Sequence, residues 1–257
     1  MSDPSPLLEV DGLSVRFGGV RALKDLAFIA RAGEVRAIIG PNGAGKTTVF
    51  NAITGYVQPN SGMIRFRGKE IQGLPPHIVS SLGVRRTFQN GGLFGDMTVL
   101  ENILAGLHAV IGGSFAGLLF ATHAARAVER EAVRRARQLL ATMGIAALES
   151  RLAKDLPGGQ QRLVEIARAL ATEPPLLLLD EPAVGLAPPT REQLMQVIRR
   201  LAGESGVGIL LIEHSIDMVM SGADVIIVLN YGQRIAEGTP SEIRANREVL
   251  DAYLGHS

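Results

Sequence analysis

Residues Gly40 to Thr48 read GPNGAGKTT, which satisfies GxxxxGK[ST] and follows directly on Val35 to Ile39, a run that reads as a buried strand. Nothing else in the 257 residues constrains the fold as much. A strand that delivers a glycine-rich turn into a helix start builds a cradle for phosphate. Gly40, Gly43 and Gly45, with Pro41, Asn42 and Ala44 between them, let backbone N–H groups approach the anion. Lys46 reaches the β- and γ-phosphates, the Thr47 hydroxyl faces Mg²⁺, and the helix running on through Thr48 adds its positive N-terminal end. A fortuitous match in a chain this long is on the order of one in a hundred. The loop therefore marks a nucleoside triphosphate site rather than an ordinary glycine-rich turn.

Composition narrows the class by exclusion. The 26 basic and 25 acidic residues leave a net charge of +1, and only four of the basic residues are lysines, which gives no case for a nucleic-acid binder. With no cysteine, disulfides and thiolate metal sites are excluded, in agreement with a reducing compartment. His77, His108, His123 and His256 form no HxxxH or HExxH pattern and are not expected to ligate metal. MSDPSPLLEVDG has no basic segment or long apolar run, so no signal peptide is expected. The most apolar loop-like stretch, Ser114 to Ala121, is far short of the roughly 20 residues that span a bilayer. A membrane connection is expected to run through a partner.

Leu7–Val10, Leu13–Phe17 and Met63–Arg67 read as short strands punctuated by Gly62 and Gly68, an antiparallel flank on either side of the loop. Continuous apolar strands recur at Leu176–Leu179, Val207–Ile212 and Val225–Leu229, among segments of helical period. That pattern predicts a mostly parallel sheet covered on both faces. From Asn90 to Pro174 the texture is helical. Val128, Val133, Ala136, Leu140 and Met143 fall near one stripe, with Arg126, Arg130, Arg134 and Arg137 on other faces. The reading is one α/β domain over residues 1–257, with a core from 1–89 and 175–257 and a helical subdomain inserted at 90–174.

Leu176 to Glu181 (LLLLDE) is an apolar strand ending in two carboxylates, which puts Asp180 and Glu181 at the carboxyl edge of the sheet. Asp180 would hold Mg²⁺ through water and Glu181 would polarise an attacking water. A strand that merely ends in solvated acids is the plain alternative. Asp155 to Gln161 (DLPGGQQ) precedes an amphipathic helix with Leu163, Ile166, Ala167 and Leu170 on one face, and two glycines at a helix start expose N–H groups toward an anion.

Together these residues resemble the ATP-binding cassette (ABC) ATPases, whose LSGGQ signature stands before such a helix and ahead of the LLLLDE strand. The resemblance covers nearly the whole chain and takes in Gln89 in RTFQN and His214 in LIEH. It implies a P-loop NTPase fold with a mostly parallel core sheet, an antiparallel β flank and an inserted helical subdomain. Further roles follow from it alone. Phe17 is similar to the aromatic that stacks on adenine, Gln89 to the glutamine touching Mg²⁺ and the attacking water, and His214 to the histidine that contacts the γ-phosphate and braces Glu181. Pro157, Gly158, Gly159 and Gln160 match the signature that caps ATP held by a second subunit, so a single cassette must pair, with itself or with a related subunit. Two positions depart from the pattern: Pro157 replaces the signature serine, and Ala187 stands where aspartate is common.

The segments DLPGGQQRLVEIARAL, RTFQNGGLFGDMTVLENILAGLH and GTPSEIRANREVLDAYLG look like the ATP-binding subunits of uptake systems for branched-chain and other hydrophobic amino acids. This implies ATP and Mg²⁺, two transmembrane permease subunits, an extracytoplasmic solute-binding protein reached indirectly, no nucleic acid, and a place on the cytoplasmic face of the inner membrane. Leu93, Phe94 and Met97 would line a groove for a permease helix, or else pack the helical lobe. Motors for urea or amides, aromatic acids or lipid export, and a soluble cassette ATPase acting on nucleic acid or the ribosome, are the alternatives.

Overall fold

The computed structural model describes residues 5–87, 92–111 and 123–254. Its elements run β1 (Leu8–Phe17), β2 (Val20–Ala30), β3 (Val35–Ile39), α1 (Lys46–Ile53), β4 (Ser61–Phe66), β5 (Lys69–Glu70), α2 (Pro76–Ser81) and β6 (Val84–Thr87). Three helices follow, α3 (Val99–Ile111), α4 (His123–Thr142) and α5 (Gly158–Leu170). The chain continues through β7 (Leu176–Asp180), α6 (Pro188–Ser205), β8 (Gly208–Ile212), α7 (Ile216–Gly222), β9 (Val225–Asn230), β10 (Gln233–Gly238), α8 (Pro240–Ala245) and α9 (Arg247–Leu254). Two compact units result, one from residues 1–86, 175–184 and 191–257, the other from 87–174 and 185–190.

The first unit holds two sheets. One is four-stranded in the order β2-β1-β4-β5, with antiparallel pairings, and the other six-stranded in the order β10-β9-β3-β8-β7-β6. In the latter β3 pairs in parallel with both β8 and β9, and β7 with β8, while β10 runs antiparallel to β9. Strands β7 and β8 are buried at every position, as expected of parallel strands covered on both faces. Leu8, Leu13 and Leu26 of the antiparallel sheet meet Phe50 and Ile53 of α1 and Ile38, Leu178, Leu210 and Ile227 of the larger sheet in one apolar cluster.

Strand β3 is equally buried although it contains Arg36, whose guanidinium is 3.1 Å from Glu34 and also paired with Glu237. Paired charge is what lets that arginine stay inside. The two short strands expected over Leu7–Phe17 form a single strand. Its pairing with β2 shifts between Val10 and Leu13, where Gly12 at φ 61° provides an irregularity, so one bulge was legible as a break.

In the second unit α4 buries Ala132, Ala136 and Leu140, with Met143 buried just past its end, while Val133 is only partly covered and Val128 is 45% exposed. The expected stripe therefore holds from Ala136 onward, because Ala132, not Val128, completes the i, i+4 spacing below Ala136. On α5 the buried residues are Val164, Ile166, Ala167 and Leu170 with Arg162, and Leu163 is only partly covered.

Candidate nucleotide site

Because β3, β8 and β7 are parallel neighbours, the residues that follow their carboxyl ends share one edge of the sheet. These are the Gly40–Thr48 loop after β3, His214 after β8 and Glu181 after β7. Such an edge is where open α/β sheets take ligands. A cavity of about 620 Å³ lies there, lined by Asn42 to Thr48, Glu181 and His214, by Gly19 to Ala22 and Lys24 of the β1–β2 region, and by Tyr231.

The loop is held tightly. Gly45 precedes α1 at φ 101°, and a Cβ there would lie 2.5 Å from the Ala22 carbonyl oxygen, so only glycine fits. Lys46 Nζ donates to the carbonyl oxygens of Gly40 at 2.8 Å and Pro41 at 2.9 Å. Burial holds its pKa below the ordinary lysine value, an effect partly countered by the carboxylates of Glu181 and Asp180. A cation resting on neutral carbonyls gains by exchanging them for phosphate oxygens, since charge-assisted hydrogen bonds are the stronger.

Glu181 takes φ 48°, and its N–H donates to the Ile212 carbonyl at 2.9 Å, which ties the end of β7 to β8. Left-handed backbone at a non-glycine residue is uncommon and concentrates at functional sites. The Glu181 carboxylate accepts from His214, Nε2 to Oε1 at 2.6 Å. Buried Glu213 fixes the segments on both sides of this pair, because its carboxylate accepts from the N–H of Ala183 at 2.7 Å and of His214 at 3.1 Å. Asp180 is only 2% exposed and does not line the cavity. Arg86 Nη2 donates to its Oδ2 at 2.6 Å while Nη1 donates to Asn51 Oδ1 at 2.7 Å, and the guanidinium lies over the Phe50 ring at 5.4 Å. One buried cation thus joins β6, α1 and β7.

The profile of the ABC transporter family matches residues 23–184, more than half of the chain. The chain belongs to the ABC transporter family. A second profile, described as branched-chain amino acid ATP-binding cassette transporter, matches residues 233–257. The chain is 47% identical over 252 residues to the high-affinity branched-chain amino acid transport ATP-binding protein BraF of Pseudomonas aeruginosa, covering 98% of this chain and 99% of that one. It is 44% identical over 253 residues to LivG of Escherichia coli, with the same two coverages. Among solved structures it is similar to the ADP conformation of an ABC transporter cassette, with a TM-score of 0.83, 33% identity, and 98% and 99% of the two chains covered. A dimeric post-hydrolysis cassette bound to ADP and Pi matches with a TM-score of 0.74 and 27% identity over 91% of this chain and 98% of that one.

Within this cassette the residues singled out from the sequence fall into three groups. Lys46, Thr47, Thr48, Glu181 and His214 share the cavity with Asn42, Gly43, Ala44 and Gly45, whereas Gly40 and Pro41 meet Lys46 through their carbonyls. Phe17 ends β1 with 51% of its surface exposed and is not one of the lining residues. Gln89 lies outside the described residues.

The signature residues open α5 in the other unit. Pro157 is the N-cap, and its carbonyl accepts from the N–H groups of Gln160 at 2.9 Å and Gln161 at 3.0 Å. A proline costs little at a helix start, where its missing N–H has no intrahelical partner to lose. Gln160 Oε1 is buried without a hydrogen-bond partner among the described residues. Ala187 is exposed and precedes α6.

The donor set fits magnesium, an oxygen-seeking ion held by one or two protein groups together with substrate phosphates. Thr47 lines the cavity, and Asp180 ends β7 with its carboxylate buried. Arg86 and Glu213 stand inside RTFQN and LIEH without a role of their own in the sequence reading, and Tyr231 belongs to no motif.

Proposed function

We propose that this cassette is the ATP-binding, ATP-hydrolysing motor subunit of an importer for branched-chain or other hydrophobic amino acids. The observation that carries the hydrolytic part is the 2.6 Å contact between His214 and Glu181 at a cavity shared with Lys46. In this reading Lys46 leaves the Gly40 and Pro41 carbonyls for the β- and γ-phosphates, and loop N–H groups take the remaining oxygens. His214 orients Glu181 toward a water in line with the γ-phosphate, and Glu181 accepts that water's proton. Thr47 and Asp180 are the groups that would hold magnesium, Asp180 through water with Arg86 fixing its carboxylate. Bound with the nucleotide, magnesium neutralises charge on the phosphates.

Pro157, Gly158, Gly159 and Gln160 would cap the nucleotide of a second cassette, identical or related. The dimeric cassette among its structural relatives supports such pairing. No described helix is long and apolar enough to cross a membrane, so two permease subunits would carry the solute and hold this chain at the cytoplasmic face of the inner membrane, with a solute-binding protein delivering it. Phe94 and Met97, 50% and 41% exposed, support a permease-facing groove beside partly covered Leu93 rather than a place in the lobe's core. The amino-acid class rests on BraF, LivG and the match at residues 233–257.

Reconstitution with two permease subunits and a solute-binding protein of the branched-chain amino acid class tests this reading. ATP-dependent uptake of leucine that vanishes with Lys46→Ala is expected. Uptake of an amide or aromatic acid with none of leucine would replace the solute, and persistence of the complex with Phe94→Asp would remove the groove.

A further inference from the structure

The turn between β9 and β10 consists of two residues, Tyr231 and Gly232, with Asn230 paired to Gln233 across it. Both have positive φ, 46° and 78°, as a tight type I′ hairpin demands. Asparagine, aspartate or glycine suits the first position, and a bulky ring there is a backbone outlier. Tyr231 nonetheless holds it and leaves 66% of its surface exposed. Of the five non-glycine residues with left-handed φ among the described residues, Glu181 and Tyr231 line the cavity.

The turn is also anchored. Gly232 N–H donates to the Ala44 carbonyl at 3.0 Å, within the glycine-rich loop, and Lys24 N–H donates to the Gly232 carbonyl at 2.8 Å. A Cβ on Gly232 would lie 2.5 Å from the Ala22 oxygen, so the turn sits directly against β2. Sheet order then says which end of a ligand Tyr231 faces. Strands β8 and β9 flank β3 on opposite sides, with β7 beyond β8. Glu181 and His214 therefore lie on one flank of the loop and Tyr231 on the other, away from the γ-phosphate end.

We propose that Tyr231 is a nucleoside-binding residue whose ring packs on the base or ribose of the bound nucleotide. The inference rests on the nucleotide-site reading above. It also accounts for an unfavourable residue in the turn, since backbone strain persists where it serves a site.

Asparagine is the informative substitution, because it tolerates left-handed φ. Binding of ATP, ADP and tripolyphosphate to the full chain would be measured for the parent, Tyr231→Asn and Tyr231→Phe, with thermal midpoints of the free proteins. Tyr231→Asn should melt no lower than the parent yet bind ATP and ADP about tenfold more weakly, leaving tripolyphosphate unchanged, and Tyr231→Phe should stay within about twofold of the parent. Unchanged ATP affinity in Tyr231→Asn, an equal loss toward tripolyphosphate, or an equal loss in Tyr231→Phe would overturn the proposal. Lys46→Ala, assayed alongside, should lose both ATP and tripolyphosphate. Retention of both there would overturn the site reading instead.

Discussion

Asp180 and Glu181 are neighbours in sequence with different surroundings, and the difference matches the roles proposed for them. Asp180 is buried against Arg86, whereas Glu181 turns through a left-handed φ to reach His214 and the cavity. Removing the guanidinium from a buried carboxylate is expected to be expensive. Arg86→Ala should lower stability by about 3–5 kcal/mol in urea denaturation, and a loss under about 1 kcal/mol would show that the pair is not structural.

Lys46 gives a pH prediction. Its pKa is depressed in the free protein, so it sheds its proton at a lower pH than an ordinary lysine, while phosphate favours the charged form. ATP affinity should therefore fall on the alkaline side beginning below the usual lysine value of 10.5, and titration of binding by calorimetry would show the drop. The Gly40–Thr48 loop was legible because phosphate chemistry fixes residue types at short spacing. Arg86 and Glu213 were not. Their partners lie 94 and 30 residues away, and an arginine in a strand or a glutamate just past one looks the same whether solvated or buried.

Helix α4 shows how far periodicity carries at the level of an element. Apolar spacing locates its buried stripe from Ala136 onward but not at Val128, because Val128 near the helix start faces outward and the small Ala132 one turn later takes the core position. Val128→Asp should change stability by under about 0.5 kcal/mol, whereas Ala132→Asp, which buries a carboxylate, should lower the melting temperature by several degrees. Helix α8 starts on purely local chemistry. Thr239 and Glu242 form a capping box with Pro240 at its first turn, a start written in four consecutive residues.

At α5 the proline N-cap offers its carbonyl and no side-chain acceptor. Pro157→Ser restores a hydroxyl and an N–H at the signature, so ATPase activity should rise in steady-state assay. A fall would mean that the fixed φ of proline matters more than the donors it lacks.

For the whole molecule, the fold class was legible because continuous apolar strands and a glycine-rich turn leave few ways to assemble a covered parallel sheet. Strands β2, β6 and β10 were harder to see. Each carries charged or exposed residues, including Lys24, Arg85, Arg86 and Arg234, that interrupt an apolar or alternating pattern. The cavity brings together β2, the loop after β3, the ends of β7 and β8 and the β9–β10 turn, so its full lining is a property of sheet order that no single segment reveals.

In the proposed function Glu181, braced by His214, is the base of an ATP-hydrolysing site. Steady-state turnover and bound ATP measured together in Glu181→Gln test it most directly. Retained Mg·ATP binding with turnover reduced by about 10²–10⁴-fold is the predicted result, and hydrolysis near the parent rate would contradict it.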